Sequence, residues 1–148
     1  MRVVSKKTKY SLTALCLLAP SYGTGPMLVS TLAERGGIPK KFLEHILLML
    51  KSGGVVKSKS GRGGGYELSE PPEQITIGSV IRMIEGPLAP LPCASETAFQ
   101  ACEDCIGRDV CGTRVVMRKV RDATAEILDH TTLADICRLT QQKAVSTL

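Results

Sequence analysis

Apolar residues recur at helical spacing in six stretches of this chain and at strand spacing in one. From Ser5 to Ala19 the positions Tyr10, Leu12, Leu15, Cys16, Leu18 and Ala19 form a broad apolar face, with Ser5 placed to cap the helix. The turn cluster from Tyr22 to Pro26 ends it. A short helix follows through Val29, Leu32 and Ala33 and stops at Gly36-Gly37. Pro39 then opens another, whose buried side carries Phe42, Leu43, Ile46, Leu47, Met49 and Leu50. A short helix, a glycine-containing turn and a second helix make a helix-turn-helix.

Gly53-Gly54 closes that unit. The pattern then changes period: Val55 to Lys59 and Gly65 to Leu68 read as two short strands around Ser60-Gly61-Arg62-Gly63-Gly64. This predicts a β-hairpin with a basic, glycine-rich tip. A phosphate loop would need Gly-Lys-Ser/Thr followed by a helix, and here a strand follows. A wing fits better, with glycines allowing close approach to a nucleic-acid backbone and Arg62 able to enter a minor groove.

After Pro71-Pro72, Thr76 to Glu85 forms a helix with Ile77, Val80, Ile81 and Ile84 apolar, expected to pack back on the first unit. The stretch Gly86-Pro87-Leu88-Ala89-Pro90-Leu91-Pro92 is a stiff linker. Beyond Cys111 one long helix runs to about Asp129, with Val116, Val120, Ala123 and Ile127 in a narrow seam among charges. At about 1.5 Å per residue it approaches 30 Å, more than a small domain needs for itself. A homodimer is the expected consequence. Thr131 or Thr132 caps a last helix carrying Leu133, Ile136, Cys137 and Leu139, where Cys137, like Cys16 earlier, is expected in the core.

The expected fold is mainly α: a winged helix-turn-helix with a two-stranded β-hairpin wing and a long C-terminal dimerisation helix. Its divisions are a winged-helix DNA-binding domain over residues 1–86, a cysteine-rich sensor loop over 87–112, and the dimerisation and final helices over 113–148. Composition agrees, since 3% aromatic residues and no Trp leave the core to aliphatic side chains. No stretch is long enough to span a bilayer, and the apolar run near the start is too short and too early broken by Pro20 for a secretory signal. A cytoplasmic protein is expected.

Charge sharpens the reading of the first half. Of 19 basic and 14 acidic residues, eleven basic but only two acidic lie between Met1 and Tyr66, and from Glu67 onward the balance reverses to eight against twelve. A polyanion is therefore met by the first half. In a helix-turn-helix the second helix presents its N-terminal residues to base edges in the major groove. Lys40, Lys41, Glu44 and His45 occupy those positions, and Lys59 and Arg62 belong to the wing. Glu44 is informative because a carboxylate beside phosphates is costly unless it accepts from a cytosine amino group. The alternative is a capping or helix-dipole role.

Four of the six cysteines fall between the two halves, as Cys93-x8-Cys102-x2-Cys105-x5-Cys111. Clustered thiols in a reducing compartment bind metal or do redox chemistry more often than they form structural disulfides. A structural zinc site usually shows two compact pairs, and only Cys102-x2-Cys105 is present. That pair lacks a βαβ setting, and two acids between the thiols oppose thiolate formation, which disfavours a thiol oxidoreductase. An inorganic cluster suits spaced cysteines on a loop. Zinc, a thiol/disulfide device and a partner-docking module without metal remain the alternatives.

The opening Met1-Arg2-Val3-Val4-Ser5-Lys6, the segment Leu32-Ala33-Glu34-Arg35 with Ile38-Pro39-Lys40-Lys41-Phe42-Leu43-Glu44, the wing Gly63-Gly64-Gly65-Tyr66 and the helix Ile77-Gly78-Ser79-Val80-Ile81 together resemble the IscR/NsrR/CymR superfamily of winged-helix transcription regulators. The resemblance covers nearly the whole chain. It implies a cluster-sensing regulator, a repressor acting on a palindromic DNA operator, with an iron–sulfur cluster of the [2Fe-2S] or [4Fe-4S] type. It maps three ligands onto Cys93, Cys105 and Cys111, and it implies that Glu44 reads bases with Lys41 beside it. The chain departs from that pattern in its longer loop, in the additional Cys102, which could complete a four-cysteine set, and in carrying Arg114 and Lys9 where relatives place non-cysteine ligands.

Overall fold

The computed structural model describes residues 4–146; the opening Met1-Arg2-Val3, part of the sequence resemblance, lies outside them. Six helices and one hairpin follow in order: α1 (Lys6–Leu18), α2 (Val29–Gly36), α3 (Lys40–Ser52), β1 (Val56–Lys59), β2 (Gly65–Leu68), α4 (Ile77–Glu85), α5 (Gly112–Asp129) and α6 (Leu133–Ser146). The protein is mainly helical with a winged helix-turn-helix, as the periodicity predicts. Boundaries shift by a residue: Pro39 caps α3 from outside, Val55 precedes β1, and Thr76 caps α4 instead of joining it.

Three of the helices, α1, α4 and α6, start at a side-chain cap. Ser5 Oγ accepts from the Thr8 N–H at 3.3 Å, and Thr76 Oγ1 accepts from the Ser79 N–H at 3.2 Å. Thr132 and Asp135 form a reciprocal box at the start of α6, the Thr132 N–H donating to Asp135 at 2.9 Å and the Asp135 N–H to Thr132 at 3.2 Å. Between α2 and α3, Gly37 takes the left-handed conformation that reverses the chain into α3.

One aliphatic core joins these elements. Leu15 and Leu18 of α1, Leu32 of α2, Leu43, Ile46, Leu47 and Leu50 of α3, Val80 of α4 and Leu133 of α6 are all fully buried, with Val56 and Leu68 closing it from the hairpin. Each such side chain contributes about 1.5–3 kcal/mol by leaving water. Tyr10 and Phe42 pack edge to face at 5.7 Å, fixing α1 against the start of α3.

Two buried polar residues of α1 escape the apolar pattern. Thr8 and Ser11 of α1 are fully buried. Their hydroxyls donate to the Glu85 carboxylate and to the Lys7 carbonyl, at 2.5 and 2.8 Å, and the Ser5 N–H also donates to Glu85 at 3.0 Å. The end of α4 is thereby tied to the start of α1.

The last helix returns to the first unit. Its approach segment pairs antiparallel with the strand-like entry to α4, the Leu133 N–H donating to the Ile75 carbonyl and the Ile77 N–H to the Thr131 carbonyl, both at 2.8 Å. Cys16 and Cys137 pack against the core as expected, whereas Leu139 is 56% exposed and does not. Among the described residues no helix is long and apolar enough to cross a membrane.

Candidate functional site

The first-half site is built on α3 and the hairpin. Lys40, Lys41, Glu44 and His45 are all exposed, on the side of α3 opposite Leu43, Ile46 and Leu47. No side chain caps α3, and Glu44 engages no other described side chain in an ion pair or hydrogen bond. Glu44 makes no capping hydrogen bond, and its carboxylate is exposed.

The hairpin runs antiparallel with Val56 opposite Leu68 and Lys59 opposite Gly65. Lys59 and Arg62 are exposed at its tip, while Lys57 is occupied by Glu67 at 3.3 Å. A feature beyond the strand pattern anchors the wing: Met27 pairs with Tyr66, the Tyr66 N–H donating to the Met27 carbonyl at 2.9 Å and the Met27 N–H back to Tyr66 at 2.8 Å. Gly65 makes this possible. It sits at φ +140°, and a Cβ there would fall 2.1 Å from the Met27 carbonyl oxygen. The wing is therefore fastened to the segment that precedes α2.

The second site is the cysteine loop. Cys93 lies in a short turn, Pro92–Ala94, and is buried; Cys111 caps the start of α5; Cys102 and Cys105 are exposed between them. All four line one cavity of about 320 Å³, together with Phe99, Arg108 and Arg114. Cys93 and Cys102 approach to 3.9 Å between sulfurs. That contact, with the nearby Cys105 and Asp104 charges behind it, raises the Cys102 thiol above its ordinary range. Among the described residues no three His, Cys, Asp or Glu side chains converge on a point suited to a single metal ion.

Two guanidinium groups wall the same cavity. Arg108 stacks on Phe99 at 3.7 Å, and Arg114 donates to the carbonyls of Cys93 at 2.9 Å and Arg108 at 3.2 Å. Arg114 thus pins both ends of the loop to the first turn of α5. The family resemblance marks Arg114 only as a departure from a ligand position; its structural task depends on the loop's path.

A chain of ion pairs leads from this loop to the first unit. Glu96, between Cys93 and Cys102, pairs with Arg121 of α5 at 2.6 Å and lies 3.8 Å from Arg118. At the far end of α5, Asp129 receives a two-pronged bond from Arg82 of α4, at 2.5 and 2.8 Å. The Arg82 hydrogen bond holds the Asp129 carboxyl below the usual carboxylate range. Gly78 permits this crossing, because a Cβ there would meet an Asp129 carboxylate oxygen at 2.0 Å. Through α4, Glu85 then reaches Ser5 and Thr8 of α1.

Comparison with known proteins decides the family. Residues 4–139 match the family described as Rrf2, iron-dependent transcriptional regulator. The chain belongs to the Rrf2 family. It is 41% identical over 137 residues to an rrf2-like HTH-type transcriptional regulator of Rhodobacter capsulatus, covering 90% of this chain and 91% of that one. Among solved Rrf2-type structures it superposes on CymR, the global cysteine regulator of B. subtilis, with a TM-score of 0.77 at 34% identity, over 94% of this chain and 98% of the other. It superposes on T. potens IscR with a TM-score of 0.74 at 31% identity, over 97% and 90%. This Rrf2 chain is accordingly a DNA-binding transcription regulator and not an enzyme, and α2, α3 and the hairpin form its winged helix-turn-helix.

Proposed function

We propose that this regulator is a cytoplasmic homodimer and repressor whose cysteine loop holds an iron–sulfur cluster and whose affinity for a palindromic operator follows the state of that cluster. The observation that carries the reading is the convergence of Cys93, Cys102, Cys105 and Cys111 on one cavity at the root of α5. Four soft thiol donors around a space wider than one ion suit a cluster better than zinc. Cys93, Cys105 and Cys111 would hold it, with Cys102 as the fourth ligand. When bound, such a group supplies a core that responds to iron supply and to oxidants.

The chain's own residues do the rest. Arg108 and Arg114 offset thiolate charge at the cavity wall, and Arg114 and Glu96 fasten the loop to α5. Cys93 and Cys111 would hold the group beside these two anchors, so that a change in the loop would shift α5. The Arg82–Asp129 pair passes the displacement of α5 to α4, and Glu85 passes it to α1 behind the recognition helix. Lys40, Lys41, Glu44 and His45 then meet the major groove and Lys59 and Arg62 the backbone and minor groove. Residues 1–86 act as the reading unit, 87–112 as the sensor loop and 113–148 chiefly as the pairing unit.

Dimerisation is supported by α5 itself. Only Ala125 of this helix is buried, while Val116, Val120 and Ile127 are 53, 37 and 65% exposed and Ala123 is exposed beside them. A seam of this kind covers itself against a second copy.

A thiol/disulfide device is favoured in one respect, the 3.9 Å approach of Cys93 and Cys102 together with the absence of a converged ion site among the described residues. Single Cys→Ser variants purified without oxygen separate the readings. Loss of visible absorption and of bound iron in the Cys93, Cys105 and Cys111 variants supports the cluster. A colourless wild-type protein with zinc, or a Cys93–Cys102 disulfide as the only loop chemistry, contradicts it.

A further inference from the structure

The two cysteines outside the loop lie 121 positions apart in sequence, and the fold brings them together. Cys16 is on α1 and Cys137 on α6, both partly buried against the core, and their sulfurs are 2.8 Å apart. An S–S bond is about 2.04 Å long, so closure needs a movement of only about 0.8 Å. Neither residue touches the loop cavity.

Their place on α6 is telling. The helix is held at its first residue by the Leu133 bond to Ile75, and Cys137 is one turn further on. From Arg138 to Ala144 every side chain is exposed. Cys137 is therefore the residue that ends the covered part of α6 before this exposed run, and a covalent link there would hold the helix against α1.

We propose that Cys16 and Cys137 are an oxidisable thiol pair, separate from the loop, that closes into a disulfide pinning α6 onto α1. A hydroperoxide of the class ROOH is the oxidant. Its O–O bond breaks as the Cys137 sulfur takes the terminal oxygen, giving a sulfenic acid and ROH. The Cys16 sulfur then attacks Cys137 sulfur, the S–O bond breaks, and the hydroxide leaves as water with the Cys16 proton. The two thiols lose two electrons and the peroxide gains them. Burial first, and the Cys137 partner second, push the Cys16 thiol up to about 12, so this thiol keeps its proton until the bond closes.

This inference does not rest on the cluster reading. The test treats the full-length wild-type protein with hydrogen peroxide, blocks remaining thiols by alkylation, and digests it with trypsin without reduction. Peptides 10–35 and 122–138 carry Cys16 and Cys137 as their only cysteines, whereas the loop cysteines fall in 83–108 and 109–114. A linked 10–35/122–138 species that disappears on reduction is expected. The oxidised protein should also melt at least about 5 °C higher than the reduced one, from the long loop the bond closes. Cys137→Ala should abolish both effects while leaving loop oxidation intact. Recovery of both peptides alkylated while the loop cysteines oxidise overturns the proposal, as does Cys16 linked to a loop peptide. Because the mapping uses the wild-type protein, a folding failure of the variant leaves the decision intact.

Discussion

Replacing Arg62 by Ala removes a cation from the exposed tip of the wing, the part proposed to meet phosphate and groove. Binding should weaken by a similar factor on every DNA sequence, and the salt dependence should fall by about one unit of slope in log affinity against log salt. Glu44→Ala should behave differently. Its carboxylate has no described partner within the chain, so folding should be unaffected, while preference among operator variants should drop by about 1–3 kcal/mol at the positions it reads. Competition binding against a panel of operator variants at two salt concentrations checks both. Equal loss on every sequence for the two variants would contradict these roles. The residues of this surface were legible in the sequence because helix phase alone turns Lys40, Lys41, Glu44 and His45 away from Leu43, Ile46 and Leu47. Arg114, Glu96 and the Cys16–Cys137 contact were not, because each depends on where a remote segment comes to rest.

Between elements, the crossing of α4 and α5 at Gly78, Arg82 and Asp129 is the place where stability and transmission meet. Arg82 and Asp129 side chains are 36 and 37% exposed, so solvent screening limits the pair to about 1 kcal/mol. The folded Asp129 carboxyl titrates below its ordinary value, with the Arg82 hydrogen bond as the main cause. Its stabilisation is therefore complete above the ordinary carboxylate range and is lost as pH falls through the lowered value. Asp129→Asn should lower stability by about that amount at pH 7 and lose the corresponding part of the acid sensitivity, measured by denaturant unfolding at pH 7 and below pH 4. Gly78→Ala places a methyl against the Asp129 carboxylate and should cost about 1–3 kcal/mol. The existence of α4 and α5 was evident from their 3.6-residue period. Their crossing was not, since a glycine at a contact point looks like any other glycine in a helix.

For the whole molecule, the proposed assembly turns on α5. Its length and seam were readable from Val116, Val120, Ala123 and Ile127, and the exposure of all four in a single chain agrees with a missing partner face. Ile127→Glu should convert a dimer of about twice the 15.8 kDa chain mass into a monomer, seen by light scattering, and should lower affinity for a two-fold operator by at least about tenfold. The winged helix was legible almost throughout, because local periodicity, caps and turn glycines agree there. The cysteine loop was not, because thiol spacing specifies the donors without specifying their convergence. Its proposed cluster is the central claim.

One preparation tests that claim most directly: protein purified without oxygen, assayed on the same sample for iron, acid-labile sulfide and affinity for a DNA site selected from a random pool, before and after chelation. The account predicts iron and sulfide together, visible absorption, and a change in Kd of at least about tenfold when they are removed, equivalent to about 1.4 kcal/mol of coupling. Colourless protein loaded with zinc, or a Kd that stays the same after iron is stripped, would contradict it.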